Sequence, residues 1–188
     1  MKAAPLAIPA LLVLAVGAGA EFFAVRGKLA AERDAVNAAW SAAEMALQDR
    51  AALVAELAEL VRGYAPRETA LFTKTGEAGL ALLNGRTREE KIAANERLSG
   101  ALSRLRVLSE NYPGLESNRN FLRLEREIAA AENNIAVERR KYNESVQEFN
   151  TEVRSFPTSV VAGFGHFSAK VPFKATTAGA ETAPKVQF

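Results

Sequence analysis

Apolar residues return every third or fourth position from Val36 through Trp40, Ala43, Leu47, Val54, Leu57 and Val61 to Tyr64. A stripe of that period commits the chain to burying one face of a long helix. Arg50 is its polar exception. The helix spans 29–64 and is limited by Pro66, which disfavours helical geometry in the residue before it and suits a first turn after it. A weaker second helix fits 67–83, with Leu71, Thr75, Ala78 and Leu82 inward. In "NGRTREE", Gly85 can take a left-handed cap, and Thr87 and Glu90 have the spacing of a capping box. A third helix runs over 88–111 through Ile92, Leu98, Leu102, Leu105 and Leu108. It stops at "NYPGLES", where Pro113 and Gly114 break it and Ser117 can cap the next. The fourth helix, 117–156, turns Phe121, Leu124, Ile128, Ala131, Ile135, Tyr142, Val146, Phe149, Val153 and Phe156 inward.

Four amphipathic helices with short connections predict an all-α fold, an antiparallel four-helix bundle over residues 29–157. Its core is expected to include Trp40, Leu47, Leu57, Tyr64, Leu102, Phe121, Ile135, Tyr142, Phe149 and Phe156. Helices one and four would be roughly 54 and 60 Å long, so a chain that reverses at each turn ends near the level where it began. Helices two and three running on in one direction would instead place the end far away; a glycine cap at 85 favours reversal. Residues 158–174 are apolar without a clear period and either pack on the bundle or touch lipid. Residues 175–188 are Ala, Thr, Gly and Pro with little to bury and read as a flexible tail. Long amphipathic helices allow homo-oligomers, although no strict heptad marks a coiled coil.

Ahead of the bundle, in segment 1–28, Pro5 to Val25 is apolar except for Glu21, about the ~20 residues a bilayer-spanning helix needs. It reads as an anchor that contacts membrane lipid, making the chain a single-pass membrane protein. Lys2 against Arg26, Lys28 and Arg33 leaves the orientation open. Ala18-Gly19-Ala20 before Glu21 also has the form of a signal-peptidase site; cleavage there would release an exported chain beginning at Glu21.

Lys and Arg total 24 against 22 acidic residues, a net charge of +2, which cannot make the dense positive surface that nucleic acid requires. With no Cys, disulfides and thiolate metal sites are excluded, and a single His argues against zinc or haem. Glu56 and Glu59 share helix one, and Glu125 and Glu132 helix four; inward carboxylates from several bundle helices can hold two metals, but such sites also use Glu-x-x-His, and no His falls in a predicted helix. His166 lies among phenylalanines with no Ser, Cys or Asp constellation near it, so it reads as a packed or surface imidazole. Asn118, Asn120, Asn133, Asn143 and Asn150 are weak helix formers; caps explain the first two and hydrogen bonds between helices the rest, with a ligand-binding row of amides as the alternative. No phosphate loop or serine-nucleophile motif occurs. We therefore expect no enzyme, cofactor or metal.

"NYPGLESNRNFLRLE", "ENNIAVERRKYNESVQEFNTEVRSFP" and "VVAGF" resemble the most recognisable stretch of the LemA family of bacterial membrane-associated proteins. The chain is identified as a member on these, with looser similarity in "RDAVNAAW" and "LVRGYAPRE"; in all, about residues 29–167 are covered. It lacks any kinase motif, so the sensor kinase that shares the name is not meant. Family members usually carry Leu-x-Pro-Asn-Leu in the first helix, where this chain has "LVAEL", with Ala55 for the proline and Glu56 for the asparagine. Arg67 replaces a histidine, and Gly165 and His166 stand where an aromatic and a glycine are usual. The resemblance implies a membrane-anchored helical bundle without assigned enzymatic activity. Its expected role is a structural or interaction scaffold that shows an envelope protein the face of helix four, through Arg139, Arg140, Asn143, Glu144 and Asn150. The alternatives are a periplasmic bundle binding a small ligand or cell-wall fragment, and a lipid-interacting protein using "FPTSVVAGFGHF".

Overall fold

A computed structural model describes residues 7–173. Residues 1–6 of the expected anchor and the whole of the expected tail lie outside the described residues, as do the side chains of residues 7–15 and of Ala18. Among the described residues there is no strand, and the elements are α1 (Ala7–Tyr64), α2 (Thr69–Asn84), α3 (Arg88–Ser109), α4 (Pro113–Glu116), α5 (Arg119–Arg154) and α6 (Thr158–Phe164). The fold is all-α. Among these residues no helix is long and apolar enough to cross a membrane.

The apolar N-terminal run and the first amphipathic helix form one unbroken helix, α1. The weak helix former at their junction is Gly27, and a single glycine costs only about 1 kcal/mol, too little to end a helix continued on both sides. At the turn after α2, Gly85 has φ −56° and ψ 131°, which is not the left-handed cap its sequence suggests. Glycine is needed there for space. A Cβ would lie 3.1 Å from the Ala81 carbonyl oxygen and 2.9 Å from Lys91 Cγ. The capping box does form: the Glu90 amide donates to Thr87 Oγ1 at 3.1 Å, and the Thr87 amide to Glu90 Oε2 at 3.3 Å.

The predicted fourth helix forms as α5, and the predicted break before it contains the short α4. Pro113 opens the short α4, and Ser117 closes it instead of starting the next helix. Asn118 begins α5, its Oδ1 accepting from the amides of Asn120 at 2.8 Å and Phe121 at 3.3 Å. The stretch after Pro157, expected to be irregular, contains α6, which buries Thr158, Val161 and Ala162. Seven residues are too few for a helical period to stand out in sequence.

The chain groups into two compact units, Met1–Ala39 with Tyr142–Pro172, and Trp40–Lys141 with Phe173–Phe188. In the first, Leu29, Val36, Tyr142, Val146 and Phe149 are buried. The segment after α6 returns along α5: Tyr142 Oη donates to the Val171 carbonyl at 2.8 Å, and Phe167 meets Phe149 edge-on. In the second, Trp40, Leu47, Val54, Leu57, Phe72, Leu82, Leu98, Leu102, Leu105, Phe121, Ile128 and Ile135 are buried.

Two residues expected in the core are exposed. Tyr64, at 38%, stays at the surface because its phenol oxygen accepts from Asn118 Nδ2 at 3.1 Å. Phe156, at 85%, lies past the end of α5, where the phase of that helix no longer directs it inward.

Candidate functional site

Arg50 sits on the apolar face of α1 and is only 4% exposed. A buried guanidinium is tolerable only with partners. Nη1 donates to Asn95 Oδ1 at 3.0 Å and Nη2 to Ser99 Oγ at 2.7 Å, both on α3. Glu132 of α5 approaches to 3.9 Å from Nε, which has no hydrogen-bond partner. Glu132 also lies 3.9 Å from Arg106, which is held at 3.0 Å by Glu125. Burial presses the Arg50 pKa below its ordinary value; Glu132 opposes this, and Arg106 adds to it. These charges are turned toward one another, and they fix α1, α3 and α5 together. The sequence flags only the arginine, since a charge on an apolar stripe requires a partner that the local sequence does not name.

Glu125 and Glu132, weighed as metal ligands, therefore hold arginines. Glu56 lies 3.9 Å from Arg123 and Glu59 3.1 Å from Arg62. Among the described residues no group of three or more His, Cys, Asp or Glu is placed to hold a metal ion. His166 is exposed with φ 55°, a left-handed conformation that fits the position where the resemblance expects glycine.

Trp40 is the centre of a second polar-aromatic cluster. Its Nε1 donates to Glu44 at 2.8 Å, and Lys91 pairs with the same carboxylate. Phe173 stacks on the Trp40 ring at 5.6 Å, and Arg139 lies 4.8 Å from the Phe173 ring centre. Between α1 and α2 runs a groove of about 310 Å³ floored by Ala51, Ala52, Ala55, Gly76 and Gly79, with Leu80 and Leu83 exposed at its edge.

In the first unit Glu32, Glu144, Gln147, Glu148, Thr151 and Glu152 line an open acidic groove of about 570 Å³. Lys28 pairs with Glu152 and lies 3.7 Å from Glu32. Burial holds the Glu32 carboxyl above its ordinary range; Lys28 works against this, and Glu152 and Glu148 add to it.

The five helix-four residues expected to face a partner separate into two kinds. Arg139 is spent on Phe173 and on Glu96 at 3.8 Å. Asn150 grips the backbone of Lys170 from both sides, donating to its carbonyl at 2.8 Å and accepting from its amide at 2.7 Å. Asn143 is half-buried, whereas Arg140 and Glu144 are exposed. A comparison with curated proteins gives no match. The family model that matches, over residues 39–188, is that of the LemA family.

Proposed function

Because the chain belongs to the LemA family, we propose that it is a non-enzymatic scaffold of the bacterial cell envelope, anchored in the inner membrane by its N-terminal helix. Beyond the anchor, an antiparallel four-helix bundle holds a second envelope protein. The observation that supports this reading is the continuity of α1 from Ala7 to Tyr64. One backbone hydrogen-bond ladder runs from the anchor into the packed part of the helix, with no flexible linker between Val25 and Leu29.

Intact mass on the membrane and soluble fractions of cells producing the tagged chain tests the reading. The full chain in the membrane fraction is the expected result. A soluble chain beginning at Glu21 would overturn it and direct attention to periplasmic ligands. Crosslinking of the membrane form, repeated with Arg140→Ala and with Glu144→Ala, then examines the exposed part of α5. Unchanged partners and unchanged stability in both variants would remove these residues from the docking surface.

A further inference from the structure

A short helix at a protein surface ordinarily turns polar residues outward. α6 does not. While Thr158, Val161 and Ala162 pack inward, Val160 and Phe164 on the same helix are 51% and 75% exposed, and Phe156, just before Pro157 and the helix, is 85% exposed. Val160 and Phe164 are four apart on α6 and so share one face of it, and Phe156 adds a second exposed ring at the entry to that helix.

The same unit shows at what level these residues lie. Lys28 of α1 pairs with Glu152 of α5, and Arg33 lies 5.7 Å from the ring centre of Phe167, just after α6. Phe156, Val160 and Phe164 are therefore placed beside the part of α1 that follows the apolar run ending at Val25. If residues 5–25 cross the hydrocarbon core, Val25 falls near its edge, because ~20 helical residues span about 30 Å. Exposed Arg26, Lys28 and Arg154 then lie at headgroup depth, where cations and aromatic rings are both favoured.

Resting on the anchored reading above, we propose that Phe156, Val160 and Phe164 form an interfacial foot that enters the headgroup region of the bilayer crossed by the N-terminal helix. One spanning helix leaves the chain free to tilt and rotate in the bilayer. A second contact limits that freedom, and the occupant of this surface is lipid.

The chain has no Cys, so single cysteines report cleanly. The full chain carrying Val160→Cys, Phe164→Cys or, as control, the exposed Ala38→Cys is labelled with an environment-sensitive fluorophore. It is then reconstituted in phosphatidylcholine–phosphatidylglycerol vesicles containing headgroup-proximal nitroxide lipid. Ala38 lies 13 residues past Val25 on α1, about 20 Å further along the helix. Labels at 160 and 164 are expected to be blue-shifted and quenched, and the label at 38 neither. If the protein resists carbonate extraction but all three labels behave alike, the foot is overturned and the anchor stands. If carbonate releases the protein, the anchor fails, and the foot is judged by flotation of the released chain with the same vesicles. Binding weakened about tenfold or more in Phe156→Ser/Phe164→Ser would uphold it, and absent or unaltered binding would overturn it.

Discussion

At Arg50 a charge is kept inside the molecule by two hydrogen bonds that depend on the fork of the guanidinium. Lysine offers one nitrogen at a different reach, so Arg50→Lys leaves Asn95, itself 2% exposed, without its partner. Arg50→Lys is expected to lower stability by about 2 kcal/mol, read as a lower urea midpoint with an unchanged slope. An unmoved midpoint would mean that the network adds specificity without net stability. Glu32 gives a dependence on pH. Its carboxyl is held above the ordinary range chiefly by burial, so the native state keeps a proton that the unfolded chain releases. Stability therefore falls as pH rises from the ordinary carboxylate value through the raised one, and the loss is complete above it. Glu32→Gln removes the penalty: its melting temperature at pH 7 should equal or exceed that of the parent, with the gain disappearing below about pH 4. His166 holds a left-handed conformation that costs a side-chain-bearing residue about 1 kcal/mol, so His166→Gly should raise the melting temperature slightly despite the looser unfolded chain. The inward residues of α1 were legible because burial follows period, and Trp40, Leu47 and Leu57 are buried. Phe156 was not legible, because a period says nothing once the helix has ended.

Among the elements, α3 shows local chemistry acting as its sequence predicts. Thr87 and Glu90 close both halves of a capping box, and Thr87→Ala should cost about 1 kcal/mol in a denaturant titration. The turn just before it shows the limit of such rules. Gly85 is required, but by contact with Ala81 and Lys91 and not by a left-handed backbone, and no sequence pattern distinguishes those two reasons. α5 carries a clear apolar face from Phe121 to Phe149, yet its start moves to Asn118 because the short α4 uses Ser117 as its own end. The asparagine at 150 could be read as a polar residue bridging helices. In the molecule it binds the extended chain after α6, a segment with no regular pattern of its own.

For the whole molecule, no described side chain before Leu29 is buried, and Leu29 is completely so. Removing residues 1–28 should therefore leave the helical circular-dichroism signal and the melting temperature nearly unchanged, while abolishing recovery in the membrane fraction. A large loss of stability would show that the N-terminal run contributes to packing. The sequence by itself determined the all-α class, the helix faces and the family, because helical period, caps and breakers act among residues a few positions apart. Only the tertiary structure decided that Arg50 is completed by Asn95, 45 positions away, and that Asn150 holds Lys170, 20 positions on. It also decided that the apolar residues after α5 divide between an inner face and an open one. The reason is physical: which polar groups meet, and which apolar groups stay uncovered, depends on how helices distant in sequence come together.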